Sequence, residues 1–135
     1  ARAAIEPAAL LWGPDLDVDR LDELNKEARV AIEEEDDDLL IAVNQAFHHV
    51  VLAAMGSKTL GDTMDQLDAF LRLATLPILE RDPAFNRRFI EVNEHIVELV
   101  QSGDRQAASD YLQVQLMKQA EAIIEMIEKI NNGAV

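Results

Sequence analysis

The sequence predicts an all-α protein, an antiparallel bundle of six or seven helices. Apolar residues recur at intervals of three, four and seven, as in Leu112, Leu116, Ile123, Met126 and Ile130. No stretch keeps the period of two that a half-buried strand would need. Most of the five glycines and four prolines cluster between these periodic stretches. Because the connections that they mark are short, neighbouring helices are expected to run antiparallel.

Clusters of turn-forming and acidic residues mark the predicted helix boundaries. In chain order the breaks are Gly13-Pro14, the acidic run from Glu33 to Asp38, Gly56-Ser57, the connection between Pro77 and Pro83, and Ser102-Gly103-Asp104. Asn131-Asn132-Gly133 closes the last helix as a helix C-cap would. The acidic run lacks the glycine and the alternate spacing of a calcium loop, so we interpret it as a solvated turn.

Composition excludes several classes of function. The chain has 12 basic and 26 acidic residues and a net charge of −14, so phosphate would repel it and it is not a nucleic-acid binder acting alone. It has no cysteine, which excludes disulfides, thiolate metal sites and cysteine nucleophiles and suits a reducing cytosol. The longest apolar run, Val50 to Met55, is far shorter than the ~20 residues that span a bilayer. We therefore expect a cytoplasmic protein without a membrane partner, folded as one domain over residues 1–135.

The third predicted helix carries two polar residues on its apolar face. At about 100° per residue, Asn44 and His48 fall within the arc of large apolar side chains, whereas His49 points away from it. Asn44 and His48 are four residues apart and are therefore neighbours on that face. Each would cost about 1 to 3 kcal/mol if buried without a polar partner. We therefore expect polar groups of other helices to meet them.

The fifth and sixth predicted helices also turn hydrogen-bonding groups inward. The apolar stripe of the fifth helix consists of Phe85, Val92, Ile96 and Leu99. His95 lies in the middle of this stripe, and Arg88 shares its face. Tyr111, Gln115 and Gln119 interrupt the stripe of the sixth helix. Polar residues on three apolar faces indicate one shared cavity in the bundle rather than several separate core contacts.

The residue types suggest what could fill this cavity. His48 and His95 can bind a divalent transition metal such as zinc or nickel, with amide oxygens as weaker donors. A neutral ligand set leaves the charge of the metal uncompensated, so the metal would be bound weakly or not at all unless an anion completed its shell. Arginines could also bind such an anion directly through bidentate contacts. The candidate arginines are Arg2, Arg72 and Arg88. Arg72 could instead pair on the surface with Asp68, four residues before it.

Several short motifs resemble those of a known family over essentially the whole chain. They are Arg2-x-x-Ile5-Glu6, Asn44-x-x-Phe47-His48, Glu94-His95, and Gly103-Asp104 followed by Ala107-Ala108 and Gln115-Leu116. In these motifs and their order the chain resembles the effector-binding C-terminal domain, of the FCD type, of FadR-subfamily regulators in the GntR family. The resemblance implies an antiparallel helical bundle like the FadR C-terminal domain.

The resemblance also implies a site in the bundle interior. In that family one Asp and three His often hold a metal, and the metal and nearby arginines help to bind a small carboxylate. Position by position, the resemblance places Asn44 where the family has its Asp. It places His48, His95 and Gln115 where the family has its three His. Two of the four metal ligands therefore depart from the family pattern. Family members without the full set can bind organic effectors without metal, and the amides of Asn44 and Gln115 suit hydroxyl or carboxylate groups.

The leading hypothesis is a ligand-sensing domain of a transcription regulator that binds a small organic acid, with or without a divalent metal. The candidate ligand-binding residues are Arg2, Asn44, His48, Arg72, Arg88, His95, Tyr111, Gln115 and Gln119. The resemblance further implies a homodimer that contacts DNA only through an N-terminal winged helix-turn-helix, a domain that is absent from this chain. Whether the regulator activates or represses, and which acid it senses, stay open.

Two other hypotheses compete with the sensor. The first is a structural or protein-interaction bundle in which the inward polar groups merely satisfy one another. The second is an enzyme, such as a helical-bundle metal hydrolase or oxygenase. The sequence offers no Glu-x-x-His pair, no nucleophile beside a base and no phosphate-binding loop. We therefore expect no enzymatic activity.

Overall fold

A computed structural model describes residues 2–67, 69 and 83–133. Within these residues the chain forms six helical segments and no strand. They are α1 (Arg2–Trp12), α2 (Val18–Glu33), α3 (Asp37–Ala53), α4 (described over 58–67), α5 (Pro83–Gln101) and α6 (Arg105–Asn131). The predicted all-α class is confirmed. The connection predicted between Pro77 and Pro83 lies outside the described residues, apart from Pro83 itself.

Four helices begin with the same short-range hydrogen bond. A side-chain oxygen at the position before the helix accepts from the backbone N–H three residues later, which satisfies one of the donors left free at a helix start. The donor–acceptor pairs are Arg20 and Asp17, Leu39 and Asp36, Leu60 and Ser57, and Ala107 and Asp104, at 3.0 to 3.2 Å. Asp17, Asp36 and Asp104 therefore have a local structural role as helix caps.

The helices pack around one main aliphatic core. α1 lies against α6 and α3, α2 lies against α3 and α5, and α5 also lies against α6. The largest fully buried apolar side chains of this core are Leu10, Leu21, Leu24, Phe47, Val51, Ile90, Ile96 and Leu112. Because these residues come from five helices, the core depends on the whole arrangement rather than on any single pair.

The end of α1 is held by side chains from the start of α6. Arg105 donates from Nε to the carbonyl oxygen of Leu10 and from Nη2 to that of Gly13, both at 2.6 Å. Ser109 donates from Oγ to the carbonyl oxygen of Pro7 at 2.7 Å. The last carbonyls of a helix lack intrahelical donors and carry partial negative charge, so a guanidinium is a suitable cap there. α1 and α6 are therefore joined by polar bonds as well as by packing.

Gly13 allows the end of α1 to approach the end of α3. A Cβ atom at this position would lie 2.5 Å from the Cβ of Ala54 and 2.5 Å from the carbonyl oxygen of Ala9. Both distances are far below van der Waals contact. The turn predicted at Gly13-Pro14 is thus also a packing site that only glycine fits.

From Met117 onward, α6 exposes apolar side chains to solvent. Its large exposed side chains include Met117, Ile124, Ile127 and Ile130, each at least 45% accessible. No helix in the described part of the chain combines the length and apolarity needed to cross a lipid bilayer.

The packing at Gly13 leads to a stability prediction. Gly13→Ala forces α1 and α3 apart, and we expect it to lower the free energy of unfolding by about 1 to 3 kcal/mol, as overpacking does. Gly61→Ala is the matched control, because Gly61 is helical and a Cβ there meets no atom within 4 Å. The control should raise the free energy of unfolding by up to about 1 kcal/mol. Urea denaturation of both variants checks this, and equal effects would contradict the proposed close approach.

The cap from Arg105 leads to a second stability prediction. Arg105→Ala removes two charge-assisted hydrogen bonds from the end of α1, and we expect a loss of about 2 kcal/mol in the free energy of unfolding. Arg20→Ala is the control, since Arg20 makes its side-chain bonds to Glu23 and Glu27 on the surface of the same helix. Its effect should be much smaller. Thermal and urea unfolding, measured side by side, would refute the cap if the two losses were alike.

Candidate functional site

His48 is buried between α3 and α1. Its side chain is 3% exposed, and its Nδ1 lies 3.1 Å from Oε1 of Glu6, which is fully buried. The two atoms are at ion-pair distance but are not aligned as a hydrogen bond. The inward orientation predicted for His48 is therefore confirmed. The contact with Glu6 was not predicted, although Glu6 is the single acidic residue of a mainly apolar α1 and was a signal for it.

Asn44 contacts α5 through an amide that the sequence analysis left out. Asn93 donates from Nδ2 to Oδ1 of Asn44 at 2.9 Å. Asn25 of α2 donates from Nδ2 to the backbone oxygen of Asn93 at 3.2 Å. Asn93 and Asn25 are only 6% and 5% exposed, so these bonds lie inside the bundle. Three asparagines thus join α2, α3 and α5.

The inward orientation predicted for His95 is wrong. Its side chain is 46% exposed, its Nδ1 lies 3.3 Å from Oε2 of Glu98, and its ring meets Tyr111 edge to face with 4.6 Å between centroids. Residues two apart on a helix lie about 200° apart around the axis, so burial of Asn93 sends His95 outward. The apolar stripe predicted for α5 was therefore centred to one side of the face that is buried, which carries Asn93. The buried face also includes Asn86, Ile90 and Val97.

Tyr111 sits beside His95 at the edge of the contact between α5 and α6. It is partly buried, and this burial, followed by the negative charge of Glu91, raises the pKa of the Tyr111 phenol. The phenol therefore stays protonated at neutral pH and can donate a hydrogen bond. Tyr111 and His95 form an aromatic contact on the outer side of the bundle and do not meet His48 in its interior.

A cleft of about 300 Å³ separates the first turns of α5 from the middle of α6. Its apolar lining consists of Phe85, Phe89, Val92, Ala122 and Met126, and its polar lining consists of Arg88, Gln115, Lys118 and Gln119. The cleft therefore contains Arg88, Gln115 and Gln119, three of the residues that the sequence singled out. Lys118 was not predicted, because on the periodic pattern it reads as an ordinary surface lysine.

The lining of this cleft combines an aromatic floor with positive charge. The rings of Phe85 and Phe89 meet edge to face with 4.6 Å between centroids, and Cζ of Arg88 lies 5.5 Å from the centroid of Phe85. Among the described lining residues are two cations and no carboxylate, in a chain of net charge −14. Such a surface can bind an anion that has an apolar body.

Two of the predicted arginines cannot be placed. The side chain of Arg2 and the whole of Arg72 lie outside the described residues, as does Asp68, the alternative surface partner of Arg72. The other seven predicted ligand-binding residues separate into an interior group, the cleft and the outer aromatic contact. The single cavity expected from the sequence is therefore not found among the described side chains.

The residues at the expected metal site do not fit a transition metal. Asn44 is hydrogen-bonded to Asn93, and Gln115 lines the cleft. The imidazole of His48 is buried inside the bundle, whereas the imidazole of His95 is half exposed on its outer side. Zinc and nickel bind imidazole, thiolate and carboxylate much more strongly than neutral amides. In the described part of the chain no three His, Cys, Asp or Glu residues are grouped so that they could hold a metal ion.

Comparison with known families identifies this architecture. The model of the FCD domain family matches residues 1–119, whereas no curated protein and no solved structure matches the chain. FCD domains are regulatory, effector-binding parts of transcription factors and are not a catalytic family. The match covers most of the 135 residues. The chain therefore belongs to the FCD domain family, the C-terminal effector-binding domain of FadR/GntR-type regulators.

Proposed function

We propose that this domain senses a small organic acid that binds in the cleft between α5 and α6. One observation carries the proposal: two cations, two amides and five apolar side chains line one cleft in a strongly acidic chain. Arg88 and Lys118 would attract the carboxylate, and the amides of Gln115 and Gln119 would orient it by hydrogen bonds. The aromatic floor would hold the apolar body of the acid.

The volume of the cleft limits the size of the acid. About 300 Å³ lies at the lower end of the range of small-molecule sites. The paired rings of Phe85 and Phe89 favour a flat or branched apolar body over a long flexible chain, because such a body loses less conformational freedom on binding. The expected ligand is therefore a compact monocarboxylate with an aromatic or branched body.

A ligand in this cleft could act on α1 through α6. Binding shifts a conformational equilibrium only when the ligand has different affinities for the two arrangements. Gln115, Lys118 and Gln119 lie on the same helix as Arg105 and Ser109, which hold the end of α1. A change in the spacing of α5 and α6 would then change the position of α1, the first helix of the domain.

The remaining parts of the proposal concern the whole regulator. The family suggests that a DNA-binding domain precedes α1 and that effector binding changes its affinity for DNA. A homodimer in the cytoplasm is part of the same proposal. Sedimentation of the domain with and without ligand measures the dimer, and DNA binding of the full-length regulator with and without ligand measures the coupling.

Carboxylate binding can be tested with charge variants of the cleft. In a thermal-melt screen of short-chain, branched and aromatic monocarboxylates, we expect a compact acid to raise the melting temperature and its methyl ester to have no effect. Arg88→Ala and Lys118→Ala should each weaken binding about tenfold, or about 1.4 kcal/mol. The measurement is a calorimetric titration with the acid found in the screen.

Two neighbouring substitutions serve as controls for this test. Arg87→Ala and Lys129→Ala each remove the same charge at an exposed position on the same helix, and neither residue lines the cleft. Their affinity for the acid should equal that of the unmodified domain. The proposed site would be refuted if no carboxylate bound, or if controls and cleft variants lost affinity alike.

The structural-bundle alternative is favoured by one observation, the part-buried pairing of Asn44 with Asn93 between α3 and α5. Asn44→Leu removes the acceptor of a buried amide, so we expect a loss of about 1 to 3 kcal/mol in the free energy of unfolding. Gln115→Leu removes a cleft residue, and we expect it to change stability little but to weaken acid binding. Urea unfolding and ligand titration of both variants separate the roles. If Gln115→Leu costs as much stability as Asn44→Leu and acid binding is unchanged, the bundle is structural.

A further inference from the structure

The interior of this domain keeps part of the arrangement that its family uses for metal. By the resemblance, Asn44 takes the position of the family's Asp, and His48 takes the position of its first His. These residues are one turn apart on α3, and the imidazole is buried against the carboxylate of Glu6. A carboxylate that accepts a hydrogen bond from an imidazole is the usual support for a metal-binding histidine, whereas Glu6 and His48 are close but not aligned for such a bond. Among the side chains that the structure describes, the interior thus keeps one imidazole and a nearby carboxylate, but not a set of ligands that could hold a metal.

Asn93 is the residue of α5 that bonds to Asn44. Ligands of one ion must converge, so a ligand from α5 that shared an ion with residue 44 would have to stand at the α5 residue that touches Asn44. That residue is Asn93, whose Nδ2 lies 2.9 Å from Oδ1 of Asn44. His95, which the motif Glu94-His95 had suggested, is half exposed and lies against Glu98 and Tyr111.

We propose that a direct hydrogen bond from Asn93 to Asn44 replaces the metal ion as the link between α3 and α5 in this domain. In the family pattern a metal bridges two helices through a carboxylate and an imidazole. Here two amides bridge the same helices with matched donor and acceptor, and neutral amides need no compensating charge in the core. The domain therefore folds and functions without a transition metal. This inference rests on the interior residues and does not depend on acid binding in the cleft.

The two possible counterparts on α5 can be distinguished by restoring the ligands. Asn44→Asp with Asn93→His supplies a carboxylate and a second imidazole beside His48, and it should bind Ni²⁺ about a hundredfold or more tightly than the unmodified chain. The matched control is Asn44→Asp with Gln115→His. That variant would complete the four-ligand set if His95 were the counterpart, and we expect it to gain no Ni²⁺ affinity. Calorimetric titration with NiCl₂ and melting curves with and without NiCl₂ are the measurements.

Measurements on the unmodified chain test the proposal even if a variant fails to fold. Titration with NiCl₂ or ZnCl₂ should show no stoichiometric site and no rise in melting temperature. The side-chain amide protons of Asn93 should exchange with solvent far more slowly than those of Asn132, which is exposed. Tight binding of one metal per chain, rapid exchange at Asn93, or Ni²⁺ binding by the control alone would each overturn the proposal.

Discussion

The hydrogen bond between Asn93 and Asn44 joins α5 to α3, and Asn25 bonds the backbone of Asn93 from a third helix. These bonds hold α5 at one rotation about its own axis. A buried amide without a partner costs free energy. A rotation of α5 that broke this pair would therefore cost the lost hydrogen bond as well as the lost packing. The positions of the other residues of α5 follow from that rotation.

One consequence of this rotation is the cleft between α5 and α6. With Asn93 directed toward α3 and α2, the side of α5 that carries Arg88 and Val92 is turned toward α6. Gln115, Lys118 and Gln119 of α6 complete the lining at spacings of three and four residues. A positively charged, partly aromatic recess therefore forms on a chain whose net charge is −14. This recess is where we propose that an organic anion binds.

A second consequence concerns the connection from the cleft to the rest of a regulator. α6 is both a wall of the cleft and the helix whose first turns cap α1 through Arg105 and Ser109. Gly13 brings the end of α1 close to Ala54 at the end of α3. α1 is therefore fixed at its end by two helices, so movement of α6 has a direct mechanical route to α1.

Much of the fold could be predicted from local pattern. The helix boundaries at Gly13, Gly56 and Gly103 follow from turn chemistry, which depends on neighbours in sequence and needs no tertiary information. His48 was placed inward correctly because large apolar residues surround its position on α3 from both sides. On α5 the same reasoning failed. Asparagines count as polar in a periodic pattern, so the predicted apolar stripe left out Asn86 and Asn93 and turned His95 into the core.

The sequence by itself determined an acidic, cysteine-free helical bundle and the family to which its motifs point. Periodicity and turn residues are local properties, and they suffice for elements and class. Only the tertiary structure decided that the inward polar groups divide into separate pairs, with Glu6 at His48 and Asn93 at Asn44. Which polar side chains pair depends on the rotation of each helix about its axis and on which helix lies beside it. A helical wheel shows neither, because both arise from the packing of all the helices together.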